Sequence, residues 1–117
     1  MLRFWRATIN TRNGLAFAIR SEQAVREELA ALALALPAAW LVGATAMRRV
    51  ELIAVVVLVL VVELLNTAIE KLADRLTTEL DPQIGRVKDM GSAAVGVALL
   101  MAGLFWLFAL AERMGVL

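Results

Sequence analysis

Neither histidine nor cysteine occurs anywhere in this chain of 117 residues. Without cysteine there are no disulfides and no thiol chemistry, and the redox compartment leaves no trace. Without histidine the usual general base and the usual transition-metal ligand are missing. Any acid–base or metal chemistry must therefore rest on carboxylates, lysine and amides. An excess of one charge is lacking too: the net charge is +1, whereas a nucleic-acid partner asks for a strongly basic face. The chain has no Gly-rich P-loop, no protein-kinase signature, no internal repeat and no low-complexity tract.

What is abundant is apolar side chain. Hydrophobic residues make up 62% of the chain, against roughly 45–50% in ordinary soluble domains. So short a chain has too little interior to hide that surface from water, so lipid is the expected solvent. The expected architecture is all-α: a single domain, 1–117, with an N-terminal amphipathic surface helix and three membrane spans. Residues 1–28 interleave Arg3, Arg6, Arg12, Arg20 and Arg26 with apolar side chains, the pattern of a helix lying in the headgroup layer. The arginines are too spread out for a signal peptide, and Asn13-Gly14 is an expected break within this segment. Residues 29–47 carry no charge and approach the ~20 residues a bilayer needs, with a bend expected at Pro37. Arg48-Arg49 is expected to form a short turn. The further spans fall at 50–70 and 92–111, separated by a polar loop containing Asp81-Pro82 and Gly85. The N-terminal segment and the 71–91 loop hold nine of the twelve basic residues, namely Arg3, Arg6, Arg12, Arg20, Arg26, Lys71, Arg75, Arg86 and Lys88. That bias places the N-terminus and the loop in the cytoplasm, where ATP is, and the C-terminus outside.

The second span ends abnormally for an anchor. Glu63, Asn66, Glu70 and Asp74 follow one another at spacings of three, four and four, which keeps them on one helical face. Ionisable groups at a membrane edge are costly and usually face partners, cavities or substrates; interhelical polar glue is the bland alternative. Lys88 and Asp89, with Ser92 one turn on, stand before the third span, where a lysine and unpaired helix-start N–H groups would suit phosphate. The alternative there is a positive-inside flank with an ordinary cap. A third cluster, Glu22, Arg26, Glu27 and Glu28, precedes the first span and is compatible with simple pairing on a solvated face. Hard oxygen ligands without histidine or cysteine suit Mg²⁺, which keeps several waters and binds through one or two carboxylates plus substrate phosphates. Phosphoryl transfer needs such a metal, a cation near the transferring group and a carboxylate for the attacking hydroxyl's proton.

These residues resemble a known family. Glu63-Leu64-Leu65-Asn66-Thr67-Ala68-Ile69-Glu70, continuing to Asp74, is similar to the E-x-x-N-x-A-I-E-x-x-x-D of bacterial diacylglycerol kinases. Gly85-Arg86-Val87-Lys88-Asp89 through Ala93-Ala94-Val95 resembles the family's G-R-x-K-D-x-x-x-A-A-V. Glu22 to Glu28 resembles its E-x-A-F-R-x-E, with Val25 in place of Phe, while Asn10 to Asn13 matches poorly. The resemblance implies a homotrimer with sites shared between subunits. It also implies transfer of the γ-phosphate of MgATP to the hydroxyl of 1,2-diacylglycerol, giving phosphatidic acid. In it Glu63 is the general base, Glu22 and Glu70 hold Mg²⁺, and Asn66 positions nearby groups. Lys88 and Asp89 contact the nucleotide, near the loop residues Glu79, Leu80 and Asp81. Glu28 and Asp74 support the site, and Arg3, Arg49 and Ser92 touch lipid or phosphate. Undecaprenol kinases share the motifs and form the alternative within enzymes; a non-catalytic small membrane protein is the alternative outside them.

Overall fold

The computed structural model describes residues 1–77 and 79–117. Its elements are four helices, α1 (Leu2–Ser21), α2 (Gln23–Val42), α3 (Ala46–Leu76) and α4 (Pro82–Arg113), with no strand among the described residues.

The expected break at Asn13-Gly14 does not occur. One glycine costs a helix about 1 kcal/mol, too little to interrupt twenty residues of otherwise competent sequence, and α1 runs through it. The chain turns at Glu22 instead, in an extended conformation (φ −125°, ψ 118°). Nothing in the residue types around Glu22 marks a breaker; the turn is held from the far side. The Arg26 guanidinium donates to the carbonyls of Ile19 (2.7 Å) and Arg20 (3.3 Å), closing off the last turn of α1. Ala18 then packs with Val25 of α2 and Leu60 of α3, with Leu29 and Leu64 around them.

Between α2 and α3 the expected turn at Arg48-Arg49 lies three residues earlier, at Gly43-Ala44-Thr45. Thr45 caps α3 by accepting from the Arg48 N–H at 3.1 Å. Gly43 is buried, and a Cβ there would stand 2.9 Å from the Ala39 carbonyl oxygen. Both arginines sit in the first turn of α3 and tie the helix ends together. Arg49 donates to the Gly43 carbonyl at 3.2 Å and lies 4.0 Å above the Trp40 ring. Arg48 pairs with Glu51 (2.8 Å) and Glu112 (3.0 Å) and lies 4.7 Å from the centre of Phe108.

The α3–α4 seam is built from small residues on α4. Gly91, Ala98, Ala102 and Ala109 are its buried positions, and they meet Leu52, Val55, Val59 and Asn66 on α3. Small side chains let two helices approach closely where apolar burial alone gives no drive in lipid. Trp106 Nε1–H donates to the Leu52 carbonyl at 3.2 Å across this seam. Trp106→Phe keeps the ring and deletes the donor. It should lower unfolding free energy in micelles by about 0.6–1 kcal/mol, read from SDS or thermal titration.

Helix α4 begins at Pro82, ten residues before the expected start of the span at Ser92. Asp81 accepts from the N–H groups of Gln83 (2.9 Å) and Ile84 (3.4 Å), and Pro82 occupies the first turn, where its missing N–H costs nothing. Gly85 to Ser92 is therefore already helical, and the free N–H donors expected beside Lys88 are instead engaged within α4. Helices α3 and α4 are each long and apolar enough to cross a membrane. The uncharged part of α2 ends at Val42 rather than Met47, so its helical length from Leu29 is about 21 Å, short of the roughly 30 Å hydrocarbon core.

Candidate functional site

The polar end of α3 supplies the centre of the site. The helix is continuous from Ala46 to Leu76, so Glu63, Asn66, Glu70 and Asp74 do share a face. Asn66 is buried, Glu63 and Glu70 are half-buried, and Asp74 is exposed. The Asn66 amide nitrogen donates to Glu70 Oε1 at 3.0 Å, which orients that carboxylate. Its carbonyl oxygen, Oδ1, is buried with no partner. An orphaned buried acceptor is costly, and such atoms commonly mark a place where a donor is meant to arrive. Across the seam stands Gly91, where any Cβ would run into the Asn66 amide.

Two further carboxylates come from the start of α2. Glu63 lies within electrostatic reach of Glu28, Glu70 and Glu22. Burial pushes the Glu28 carboxyl above its usual range, and neighbouring Glu27 adds to the effect. Glu22 occupies the extended junction of α1 and α2, so the Arg26 contacts that create the turn also aim this side chain at α3. Its Oε1 is 2.8 Å from Lys71 Nζ. Among the described residues, no three acidic side chains enclose a metal on their own. The donors at hand are carboxylate and amide oxygens only, with one acceptor left open. That set fits Mg²⁺, a hard cation that completes its shell with water and phosphate oxygens.

Other residues singled out in the sequence lie apart from this cluster. The Lys88 ammonium is paired with Asp74, joining the end of α3 to α4. Eleven residues separate Asp74 from Glu63, or about 16 Å of helical rise. Asp89 and Ser92 are exposed on α4 and Arg3 is exposed in the first turn of α1. In the α3–α4 loop the Asp81 carboxylate is engaged as the α4 cap, the Glu79 N–H donates to Thr77 Oγ1 at 3.0 Å, and Leu80 is fully exposed. Arg49 stands at the opposite end of α3, about 21 Å from Glu63 along the helix. Sequence reasoning missed Lys71 and Gly91 as members of the site. Lys71 directly follows Glu70, which was signal enough to ask which carboxylate it meets. Gly91 gives no such signal before the partner helix is known.

Comparison with known proteins bears on most of the chain. The profile of the family described as prokaryotic diacylglycerol kinase matches residues 10–110. The diacylglycerol kinase of Escherichia coli K12 is 43% identical over 102 residues, covering 87% of this chain and 84% of the relative. The diacylglycerol kinase of Pseudomonas aeruginosa is 41% identical over 93 residues, 80% of this chain and 76% of the relative. That of Haemophilus influenzae is 39% identical over 93 residues, with 80% and 79% covered.

Proposed function

This chain belongs to the prokaryotic diacylglycerol kinase family, and we propose that it transfers the γ-phosphate of MgATP to the free hydroxyl of 1,2-diacylglycerol, yielding phosphatidic acid and ADP. The observation that carries this reading is the face of α3 that sets half-buried Glu63 and Glu70 beside the buried amide of Asn66, with Glu28 and Glu22 within electrostatic reach of Glu63. In the proposed reaction the Glu63 carboxylate takes the proton from the lipid hydroxyl. The hydroxyl oxygen then bonds to the γ-phosphorus as the bond to the β–γ bridging oxygen breaks. Glu22 and Glu70 would hold Mg²⁺, which would neutralise charge on the triphosphate. Asn66 keeps Glu70 oriented and offers Oδ1 to an incoming donor. Lys88, released from Asp74, and Asp89 serve the nucleotide, with Glu79, Leu80 and Asp81 beside it. Arg3, Arg49 and Ser92 touch lipid or phosphate.

The proposed assembly is a homotrimer in the bacterial inner membrane, with α1 on the cytoplasmic surface and three spans: α3, α4 and the uncharged stretch 29–47, of which α2 supplies about 21 Å and the residues after Val42 the rest. The charge distribution of the flanks supports that orientation. The broad apolar face of α4, with Val97, Leu100, Leu104 and Leu107 exposed, supports burial in lipid or against neighbouring copies.

Purified protein in mixed micelles should move ³²P from γ-labelled ATP to dioleoylglycerol, and EDTA should stop it until Mg²⁺ is restored in excess. No labelled phosphatidic acid under any Mg²⁺ concentration would refute the proposal. A faster reaction with undecaprenol in a parallel micelle would reassign the lipid.

A further inference from the structure

Lys71 is the cation in direct contact with the acidic cluster, and the proposed reaction gives it no part. Its ammonium lies 2.8 Å from Glu22 Oε1 and 5.1 Å from the centre of the Phe17 ring. Three elements meet at that nitrogen: α1 through Phe17, the α1–α2 junction through Glu22, and α3 through Lys71 itself. Both members of the ion pair are partly in water, with side-chain exposures of 43% and 28%. Such a pair is weakly held and breaks without leaving a buried charge behind.

We propose that Lys71 is a built-in counter-cation for Glu22: it holds that carboxylate beside the cluster when no divalent ion is bound and gives it up when one arrives. The inference rests on Glu22 being a metal ligand, as in the function proposed above. Three considerations support it. A metal ion and the Lys71 ammonium compete for the same carboxylate oxygen, and two cations at one oxygen repel each other. Carboxylates within electrostatic reach of one another are unfavourable by themselves, and Lys71 offsets part of that repulsion in the metal-free protein. The Phe17 ring offers the ammonium a second resting place through cation–π attraction, so release from Glu22 does not demand full rehydration. Lys71 is thus a positioning residue, acting through Glu22.

The test is binding of Mn²⁺ alone to the full-length protein in micelles, without nucleotide, followed by the electron paramagnetic resonance signal of free Mn²⁺. Lys71→Met retains the aliphatic reach and removes the charge. It should tighten Mn²⁺ by about two- to fivefold at low salt, the size of a part-exposed ion pair. The gain should shrink as ionic strength rises, because the screening length falls to about 10 Å at 0.1 M. Lys71→Arg should behave like the parent, and Lys71→Gln gives the same readout as Lys71→Met should the latter fold poorly. A merely structural Lys71 would give unchanged or weaker Mn²⁺ binding in both neutral variants, overturning the inference. Glu22→Gln separates the two levels. Weakened Mn²⁺ binding in Glu22→Gln with no gain in Lys71→Met leaves Glu22 as a ligand and removes only Lys71. Unchanged binding in Glu22→Gln removes Glu22 as a ligand and the role of Lys71 with it.

Discussion

Glu63→Gln should lower the rate of phosphate transfer by about 10²- to 10⁴-fold, the range a positioned general base contributes. Glutamine matches glutamate in shape and still hydrogen-bonds, but it cannot take a proton from the lipid hydroxyl. The substitution also removes one charge from a crowded site, with Glu28, Glu70 and Glu22 all within electrostatic reach. Stability should therefore hold or rise slightly, which separates lost chemistry from lost fold. Because Glu22 and Glu70 remain, the KM for MgATP should change little while kcat collapses. Steady-state kinetics on matched micelle preparations, with circular dichroism as the fold control, read both. A rate within about threefold of the parent would exclude Glu63 as the base, since even modest base catalysis exceeds that factor.

Gly91→Ala should produce the second large effect, through a single methyl group. The new Cβ would intrude on the Asn66 amide, whose Oδ1 is already buried and unpaired. Two outcomes compete: α4 moves away from α3, or the Asn66 side chain turns and loses its 3.0 Å bond to Glu70. Overpacking of this kind costs about 1–3 kcal/mol. If Asn66 turns, Glu70 is displaced and transfer should fall by at least about tenfold. If α4 moves, Glu70 stays in place, Lys88 and Asp89 shift relative to α3, and the loss falls mainly on stability. The double variant Gly91→Ala/Asn66→Ala tells the two losses apart. Shortening Asn66 makes room for the methyl group, so most of the stability should return while activity stays low. Additive stability losses in the double variant would mean that the two residues do not meet in the membrane-embedded protein.

The sequence makes the polar end of α3 legible and leaves its surroundings obscure. Glu63, Asn66, Glu70 and Asp74 recur at the helical period within one uninterrupted helix, so their shared face follows from local geometry alone. The helix ends are another matter. Arg48-Arg49 reads as a turn because charge normally ends a span. Both residues instead find partners within reach, Arg48 on Glu51 and Glu112 and Arg49 on Gly43 and Trp40, which lets them sit inside α3. Asn13-Gly14 reads as a break because its residue types are weak helix formers, yet nothing nearby rewards breaking there. The turn falls at Glu22, where Arg26 satisfies the final carbonyls of α1, and only the folded pair reveals that arrangement. The start of α4 is missed for a related reason: Asp81-Pro82 is a strong start signal, but the polar residues after it disguise the helix as loop. Lys71 shows the remaining gap. Its identity is plain in the sequence, but a salt bridge to a residue 49 positions earlier depends on tertiary arrangement.

The two ends of α3 are oppositely built. At one, Arg48 and Arg49 rivet α2, α3 and α4 together through ion pairs and ring contacts. At the other, carboxylates lie within electrostatic reach of one another, and the Lys71–Glu22 and Lys88–Asp74 pairs cross between elements. The bundle is pinned at the arginine end by half-buried pairs, while the acidic end is closed by the more exposed Lys71–Glu22 and Lys88–Asp74 pairs. Salt therefore acts unequally on the two ends, reaching the cations that hold the carboxylates before it reaches the arginines.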